Sequence, residues 1–170
     1  MIHFILASHS EAKPLIEYYK LKKILKLKEF NIFIDNNNQI SLTISGLGKV
    51  ASACSVIYTY SYFKKKNSIW LNIGICGHIN ENVGEIILVN KITDKSTKKN
   101  FYPSIVFNHD YKMLNCITND MPNFNYKESI YEMELSGFYF AASKVSINEL
   151  IHSLKIISDN KRSKIDFTKK

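Results

Sequence analysis

The chain has 170 residues, of which 45% are hydrophobic and 22% are charged, and its formal net charge is +8. This length suits one compact domain with a single sizeable core, which we place at residues 1–160. No apolar run reaches the roughly 18 residues of a helical membrane span. The composition therefore predicts a soluble globular protein that does not cross a membrane.

The cysteines, histidines and lysines are scattered in small numbers or short clusters. Three cysteines and five histidines form neither a disulfide framework nor a metal-ligand pattern. We expect no metal, no cofactor and a cytoplasmic location, since free thiols suit a reducing compartment. The lysine excess predicts a solvated basic face without a nucleic-acid partner, although nucleic-acid binding stays open as an alternative. We expect residues 161–170 to form a basic, frayed tail.

Strand and helix patterns alternate along the chain. "HFILA" predicts a first strand, and we interpret it as a strand and not as part of a signal peptide. A helix follows in "SEAKPLIEYYKLKKIL" with Ser10 as its N-cap, then strands in "FNIFID" and "ISLTIS". "KVASACSVIYTYSYF" predicts a long helix, and "SIWLNIGI" and "VGEIILVNKI" predict buried strands. This order predicts an α/β fold with a mixed sheet.

The rest of the pattern is less regular. Residues 95–125 fit no single element. "YEMELSGFYFAASK" predicts a helix, and "ELIHSLKIISD" predicts a helical turn followed by a strand that ends at Ser158.

Glycines follow two of the predicted strands, in "SGLGKVA" and "NIGICGH". Glycine lets a ligand approach the backbone closely, and ligands of open α/β sheets bind at the carboxyl ends of strands. "GLGKVA" also fits the loose dinucleotide pattern GxGxxA, but no acidic residue ends the next strand. A dinucleotide site therefore stays open as the weaker alternative.

Three carboxylates lie near strand ends or helix starts: Glu11, Glu134 and Asp159. Taken singly, Glu11 could favour a helix N-terminus and Asp159 could be an ordinary turn residue. Glu132 and Glu134 flank one methionine, and on a helix residues i and i+2 point about 200° apart. We therefore expect Glu134 to be a buried functional acid, and Glu132 to cap, pair or face solvent.

The order of these motifs resembles a known superfamily. "EAKPLI", "SGLGKVASA", "LNIGICGHINENVGEIILVNKITD", "YEMELSG" and "IISDN" occur in sequence and cover most of the chain. They are similar to the purine nucleoside phosphorylases and nucleosidases, especially to the methylthioadenosine/S-adenosylhomocysteine nucleosidases. The resemblance implies a three-layer α/β/α sandwich with a central mixed sheet.

The resemblance also implies roles for individual residues. Asp159 looks like the acid that protonates the leaving purine, Glu11 like the acid that activates water, and Glu134 like the acid that binds the ribose hydroxyls. The other implied substrate-binding residues are Met133, Gly74, Cys76, Gly77, Ser158 and Lys155, the last standing where nucleosidases often have arginine.

These residue types suit the chemistry. Cleavage of an N-ribosidic bond builds positive charge on the sugar while the base leaves with electrons. An acid at the base and a carboxylate beside the water stabilise this transition state, and a carboxylate at the ribose fixes the orientation.

The sequence favours water over phosphate as the nucleophile. Relatives that use phosphate hold it with arginine, whereas this chain has Asn72 at the corresponding strand end and almost no arginine. We expect a nucleoside hydrolase acting on a purine or methylthioadenosine-like nucleoside. The alternatives are a weak or inactive nucleoside-binding relative, or a phosphorylase. The resemblance also implies a homodimer, for which "VIYTYSYF" could form the interface or part of the core.

The sequence departs from the family's pattern at three places. Ile75 stands where relatives usually have a small or hydroxyl residue, only 37 residues lie between Asp94 and Glu132, and we expect no final helix after "IISDN". We expect "KITDKSTKKNFYPSIVF" and "CITNDMPNF" to form the base pocket. For Phe101 and Tyr102 we favour a place in the core or in an interface, with stacking on the base as the alternative.

Overall fold

The computed structural model describes residues 1–163, so part of the predicted basic tail lies outside the described residues. The helices are α1 (His9–Tyr18), α2 (Lys49–Phe63) and α3 (Leu135–Ala142), with a 3-10 turn at Asn148–Leu150. The strands are β1 (Ile2–Leu6), β2 (Lys22–Lys23), β3 (Asn31–Ile34), β4 (Ile40–Ile44), β5 (Ile69–Gly77), β6 (Ile86–Asp94), β7 (Asn100–Phe101), β8 (Lys112–Thr118), β9 (Ile130–Glu132) and β10 (Ile151–Asp159).

The strands form one mixed sheet. β1 pairs in parallel with β4 and β5, and β5 pairs in parallel with β10. From β10 the pairing continues through β6, β8 and β9 back to β5, so that these five strands form a closed circuit. β3 and β2 extend the other edge as antiparallel neighbours. β1, β4, β5 and β10 therefore end at the same edge of the sheet.

Helices cover both faces of the sheet. Phe4 and Leu6 of β1 pack with Ala12 of α1 on one face. Ile5, between them in β1, packs on the opposite face in the cluster that includes Val56 of α2 and Phe138 of α3. This alternation follows from the two-residue period of a strand. The predicted three-layer α/β/α architecture with a central mixed sheet is confirmed.

Gly137 allows α3 to cross the start of α2 closely. A Cβ atom at this position would collide with the backbone carbonyl of Lys49. The close crossing brings Glu134, just before α3, to the amide of Gly48, just before α2. Packing of the two helices thus places one of the candidate acids.

Two predicted helix starts are wrong. α1 is capped by Ser8 and not by Ser10, because the Ser8 hydroxyl accepts from the Glu11 amide while the Glu11 carboxylate accepts from the Ser8 amide. The helix predicted from Tyr131 begins only at Leu135, and Tyr131 lies in β9. The Glu132 carboxylate accepts hydrogen bonds from the amides of Glu134 and Leu135, and this fixes the start of α3 after Glu132.

The predicted first helix also ends early. α1 stops at Tyr18, and Lys22–Lys23 form the edge strand β2, paired with β3. Because Lys22–Lys23 pair with β3, their backbone cannot continue the helix that the sequence pattern predicted.

Within residues 1–163, no helix is long and apolar enough to cross a membrane.

Asp94 joins the end of β6 to both α2 and α3. Its carboxylate accepts from the Thr97 amide, from the Ser136 hydroxyl and from the Lys49 ammonium, 3.0 Å away. Burial alone would raise the pKa of Asp94, but these hydrogen bonds outweigh it and hold the pKa well below its ordinary value of 3.8. The ionised form therefore stabilises the fold.

We expect Asp94→Asn to lower the free energy of unfolding by about 1–3 kcal/mol at pH 7, because the buried donors lose a charged acceptor. The folded pKa is depressed, so the stabilisation is present above the ordinary pKa and disappears as the pH falls through the folded pKa. The difference between wild type and variant should narrow between pH 5 and pH 3 in urea unfolding. Asp120→Asn is the control, since Asp120 pairs with the same lysine but is 54% exposed. An equal loss from both variants would contradict the prediction.

Candidate active site

A cavity of about 430 Å³ lies at the edge where β1, β5 and β10 end. It contains the three candidate acids, which come from α1, from the β9–α3 junction and from the end of β10. Four of the other predicted residues also line it. Together these seven are Glu11, Glu134, Asp159, Met133, Cys76, Gly77 and Ser158. The sequence-predicted acids therefore converge on one cleft.

Glu11 holds a position between α1 and β5. Its Oε2 accepts from the Ser8 amide at 2.8 Å and from the Ser8 hydroxyl at 3.0 Å, while its Oε1 accepts from the Ile75 amide at 3.2 Å. Glu11 thus has the helix-terminal role considered from the sequence and lines the cavity as well. A carboxylate oxygen has two lone pairs, so Oε1 can still accept from a water molecule.

Gly74 and Lys155 lie beneath the cavity and do not line it. A Cβ atom on Gly74 would stand 3.0 Å from Glu11 Oε1 and 3.4 Å from Lys155 Nζ. The missing side chain at Gly74 therefore makes room for a carboxylate and an ammonium group on the same stretch of β5. Both residues were predicted to bind the substrate, and neither is among the residues that line the cavity.

The ammonium of Lys155 is fully buried and pairs with Glu132, 3.1 Å away. Burial alone would lower the pKa of Lys155, but the charges of Glu132 and Glu134 outweigh it, so the pKa is raised and the lysine is charged. Glu132 also accepts from the Thr118 hydroxyl and from the amides of Glu134 and Leu135. The prediction that Glu132 caps or pairs is confirmed, and it does both.

Glu134 is buried and has fewer hydrogen-bond partners than Glu132. Its Oε1 accepts from the Gly48 amide at 2.8 Å, and among the described residues its Oε2 has no hydrogen-bond partner. Burial raises the pKa of Glu134, and the neighbouring charge of Glu132 raises it further, against the opposing effects of Lys155 and the Gly48 amide. The free oxygen is therefore available to a ligand that donates hydrogen bonds.

The hydrogen bond from the Gly48 amide to Glu134 disfavours the dinucleotide alternative. The Gly48 amide belongs to the "GLGKVA" turn, where a phosphate would have to bind. A carboxylate already accepts from that amide, and its charge would repel a phosphate.

Asp159 is buried at the end of β10. Its Oδ1 accepts from the Ser158 hydroxyl at 2.8 Å, and its Oδ2 accepts from the Tyr126 hydroxyl in a short hydrogen bond. Both carboxyl oxygens of Asp159 therefore have a hydroxyl partner in the free protein. Nearby, burial raises the pKa of the Cys76 thiol to about 12, so Cys76 contacts the cavity as a neutral thiol.

One of the two segments predicted to form a base pocket lines the cavity. Its lining residues are Asn119, Pro122, Asn123 and Phe124 of "CITNDMPNF". Phe101 and Tyr102 do not: Phe101 packs on Tyr139 in the core, with ring centres 5.6 Å apart, and Tyr102 is 60% exposed. β7 pairs with β6 and turns this stretch away from the cavity.

Sequence reasoning missed two aromatic lining residues, Tyr126 and Tyr131. Tyr131 precedes the two glutamates directly, and that position could have indicated it. Tyr126 lies just beyond the segment to which the sequence assigned no element, and nothing in its local pattern indicates the cavity. Within residues 1–163, no group of three His, Cys, Asp or Glu side chains is arranged to hold a metal ion.

No family model matches the chain, and no curated protein sequence matches it. Solved structures do match. The apo 5'-methylthioadenosine nucleosidase of Arabidopsis thaliana has a TM-score of 0.77 at 15% identity, covering 98% of this chain and 84% of that one. The chain has a nucleosidase fold.

Two bacterial nucleosidases give the same result. A Helicobacter pylori MTAN mutant with 5'-methylthioadenosine in its active site has a TM-score of 0.74 at 18% identity, covering 94% of this chain and 85% of that one. The S-adenosylhomocysteine nucleosidase of Streptococcus pyogenes, in complex with 5-methylthiotubericidin, has a TM-score of 0.74 at 16% identity, covering 93% of this chain and 83% of that one. The fold relationship predicted from the motifs is confirmed.

We expect Lys155→Met to lower the free energy of unfolding by about 3–5 kcal/mol, because it leaves Glu132 buried without its counter-charge. The double variant Lys155→Met, Glu132→Gln should regain part of this loss, since it removes the unpaired charge. The control is Lys112→Met. Lys112 lies 2.7 Å from Glu81, but its side chain is 47% exposed. This substitution should cost at most about 1 kcal/mol. Urea unfolding at pH 7 measures all three, and similar losses from Lys155→Met and Lys112→Met would show that burial does not matter here.

Proposed function

We propose that this protein hydrolyses the N-ribosidic bond of a purine nucleoside or of a 5'-modified, methylthioadenosine-like nucleoside. The observation that supports it is the convergence of Glu11, Glu134 and Asp159 on one cavity of a chain with a nucleosidase fold. The three acids are distant in the sequence, and each lies at a different element. A cleft that gathers them suits a reaction needing an acid, a base and a sugar-binding group.

In the proposed reaction, Asp159 gives its proton to N7 of the purine while the bond between C1' and N9 breaks. The electron pair of that bond leaves with the base. A water molecule held by Glu11 attacks C1', and its proton passes to the Glu11 carboxylate. The products are the free base and the ribose derivative, and solvent returns the proton from Glu11 to Asp159.

Glu134 is proposed to bind the ribose through Oε2, the oxygen that has no partner among the described residues. A carboxylate that accepts from the sugar hydroxyls fixes the ring relative to the water and the acid. Met133 lines the cavity beside it. Lys155 would keep Glu132 and Glu134 ionised together, since without its charge two neighbouring buried carboxylates repel each other.

The charges around the cavity support water as the nucleophile. None of the described residues that line it is lysine or arginine. The buried ammonium of Lys155 is already paired with Glu132. A phosphate dianion would meet several carboxylates and no free cation, whereas neutral water would not be repelled.

The cavity lining also supports a nucleoside and not a nucleotide as substrate. Leu47, Ile75 and Met133 line it with apolar surface. Ile75 lines the cavity but remains 44% exposed. An uncharged 5' substituent can contact such a surface without the desolvation cost that a phosphate would pay.

A homodimer in the cytoplasm stays part of the proposal. Val50 and Ile57 on α2 and Phe140 on α3 are 72%, 42% and 48% exposed. Apolar side chains exposed on two adjacent helices support this face as the dimer interface.

Purified protein should release free base from at least one purine or 5'-thio nucleoside in buffer without phosphate, and added phosphate should not be required. Asp159→Asn should reduce kcat by at least about 100-fold, because an amide cannot protonate the leaving base. Chromatography of the released base measures both. The control is Asp110→Asn, an exposed aspartate away from the cavity.

Binding of nucleosides without base release from any of them would instead identify the alternative, a nucleoside-binding relative without catalysis. A strict requirement for phosphate would indicate a phosphorylase. Either result would overturn the proposed hydrolysis.

The affinity for nucleosides should fall as the pH is lowered toward the raised pKa of Glu134, which lies above the ordinary value of 4.5. Protonation removes the acceptor that the ribose hydroxyls need, so affinity should drop by up to about tenfold per pH unit below that pKa. Free adenine, which lacks ribose, is the control ligand and should not show this loss. Calorimetry from pH 8 to pH 5 tests the difference, and parallel curves for both ligands would exclude Glu134 as the ribose acceptor.

A further inference from the structure

Tyr126 forms a hydrogen bond with Asp159, the group that contacts the base in the proposed reaction. The Tyr126 hydroxyl donates to Asp159 Oδ2, and Ser158 donates to Oδ1. Burial raises the pKa of Tyr126, and the bond to Asp159 raises it further, so the tyrosine keeps its proton and is the donor. While Tyr126 donates to Oδ2, that side of the Asp159 carboxyl group faces the tyrosine and not a purine base.

The Tyr126 ring also lies against the glycine turn. A Cβ atom at Gly77 would collide with the hydroxyl end of this ring, so only glycine permits the contact. Tyr131 lies beside it, with ring centres 5.6 Å apart, and Phe124 meets it edge-on at 6.3 Å. An aromatic ring on Gly77 with a donor aimed at Asp159 presents what a purine base with a proton at N7 would present.

A second cavity of about 460 Å³ lies on the other side of this side chain. Tyr126, Phe124 and Asp159 line both cavities. The bond between Tyr126 and Asp159 therefore separates two spaces that share the candidate acid. The second space, lined also by Ile79, Asn160 and Lys161, is large enough to receive a tyrosine side chain.

We propose that Tyr126 is a gate of the base subsite: its side chain fills the place of the base in the free protein and swings into the second cavity when a purine enters. This inference rests on the proposed function, because it takes Asp159 as the group that contacts the base. The purine then replaces the tyrosine ring on Gly77 and the tyrosine hydroxyl at Asp159. With the tyrosine hydroxyl gone, the Asp159 carboxyl group faces the edge of the purine.

The proposal predicts that Tyr126 competes with the base. Tyr126→Phe removes the hydrogen bond to Asp159 but keeps the ring, and it should bind free adenine on the order of tenfold more tightly than wild type. Tyr126→Ala, which removes the ring as well, should bind adenine at least as tightly as Tyr126→Phe. The matched control is Tyr111→Phe, a half-exposed tyrosine outside both cavities, which should bind like wild type.

Calorimetry with adenine measures binding without turnover, so the gate and the proposed hydrolysis can fail separately. Tighter adenine binding by Tyr126→Phe supports the gate even if no nucleoside is cleaved, a result that would refute hydrolysis alone. Equal or weaker binding by Tyr126→Phe would overturn the gate and leave the hydrolysis untouched. Absence of adenine binding in wild type and in both Tyr126 variants would also overturn the gate, and the base-release assay tests the hydrolysis independently.

A structure of the wild-type protein with adenine keeps the test independent of variants that fold poorly. The expected result is adenine on Gly77, with the Tyr126 hydroxyl beyond hydrogen-bonding distance of Asp159. Adenine bound in the cavity while Tyr126 still donates to Asp159 would overturn the gate.

Discussion

The ammonium of Lys155 lies in the interior beneath the cavity, 3.1 Å from a carboxylate oxygen of Glu132. Charged Glu134 and Glu11 lie close enough to raise its pKa further. One buried cation thus faces three carboxylates, and removing it would leave them to repel one another in a region of low dielectric constant. The charge of Lys155 therefore offsets the mutual repulsion of the carboxylates around it.

The same ion pair fixes backbone as well as side chains. Glu132 accepts from Lys155 and also from the first amides of α3, so the charge that neutralises Lys155 determines where α3 begins. α3 in turn crosses α2 closely at Gly137, and that crossing brings the Gly48 amide to Glu134. Asp94 joins the same two helices through Ser136 and Lys49. The position of Glu134 therefore depends on contacts that also hold the fold together.

Much of the fold could be predicted from the sequence, because β1, β4, β5, β6 and α2 are long or strongly apolar and have clear ends. The start of α3 could not. Tyr131, Met133 and Phe138 give one continuous apolar pattern, and only the tertiary position of Glu132 separates strand from helix. The argument that placed Glu132 and Glu134 on one helix therefore had the wrong geometry, although the two acids do have different partners. β2 was missed for a similar reason, because only pairing with β3 turns Lys22–Lys23 into a strand.

The candidate acids could be found because each stands at a strand end or helix start, where a side chain can reach a shared cleft. The resemblance implied Gly74 and Lys155 as substrate-binding residues, and their depth beneath the cavity could not be predicted because a sequence motif does not show burial. Tyr126 could not be found at all. Its contact with Asp159 spans 33 residues and depends on the path of the whole segment after β8.

Under the proposed gate, the contact between Tyr126 and Asp159 lowers the affinity of the free protein for a base. A base that must displace Tyr126 binds only the open form, so its apparent affinity is reduced by the fraction of molecules that are closed. The bond to Tyr126 is lost on entry, and the base must offset that loss with its own contacts at Gly77 and Asp159. A ring too small to reach both groups cannot do so, whereas a purine spans the glycine turn and the acid together. The proposed gate would thus favour purines over smaller bases through the size of the base, without a residue dedicated to recognising purines.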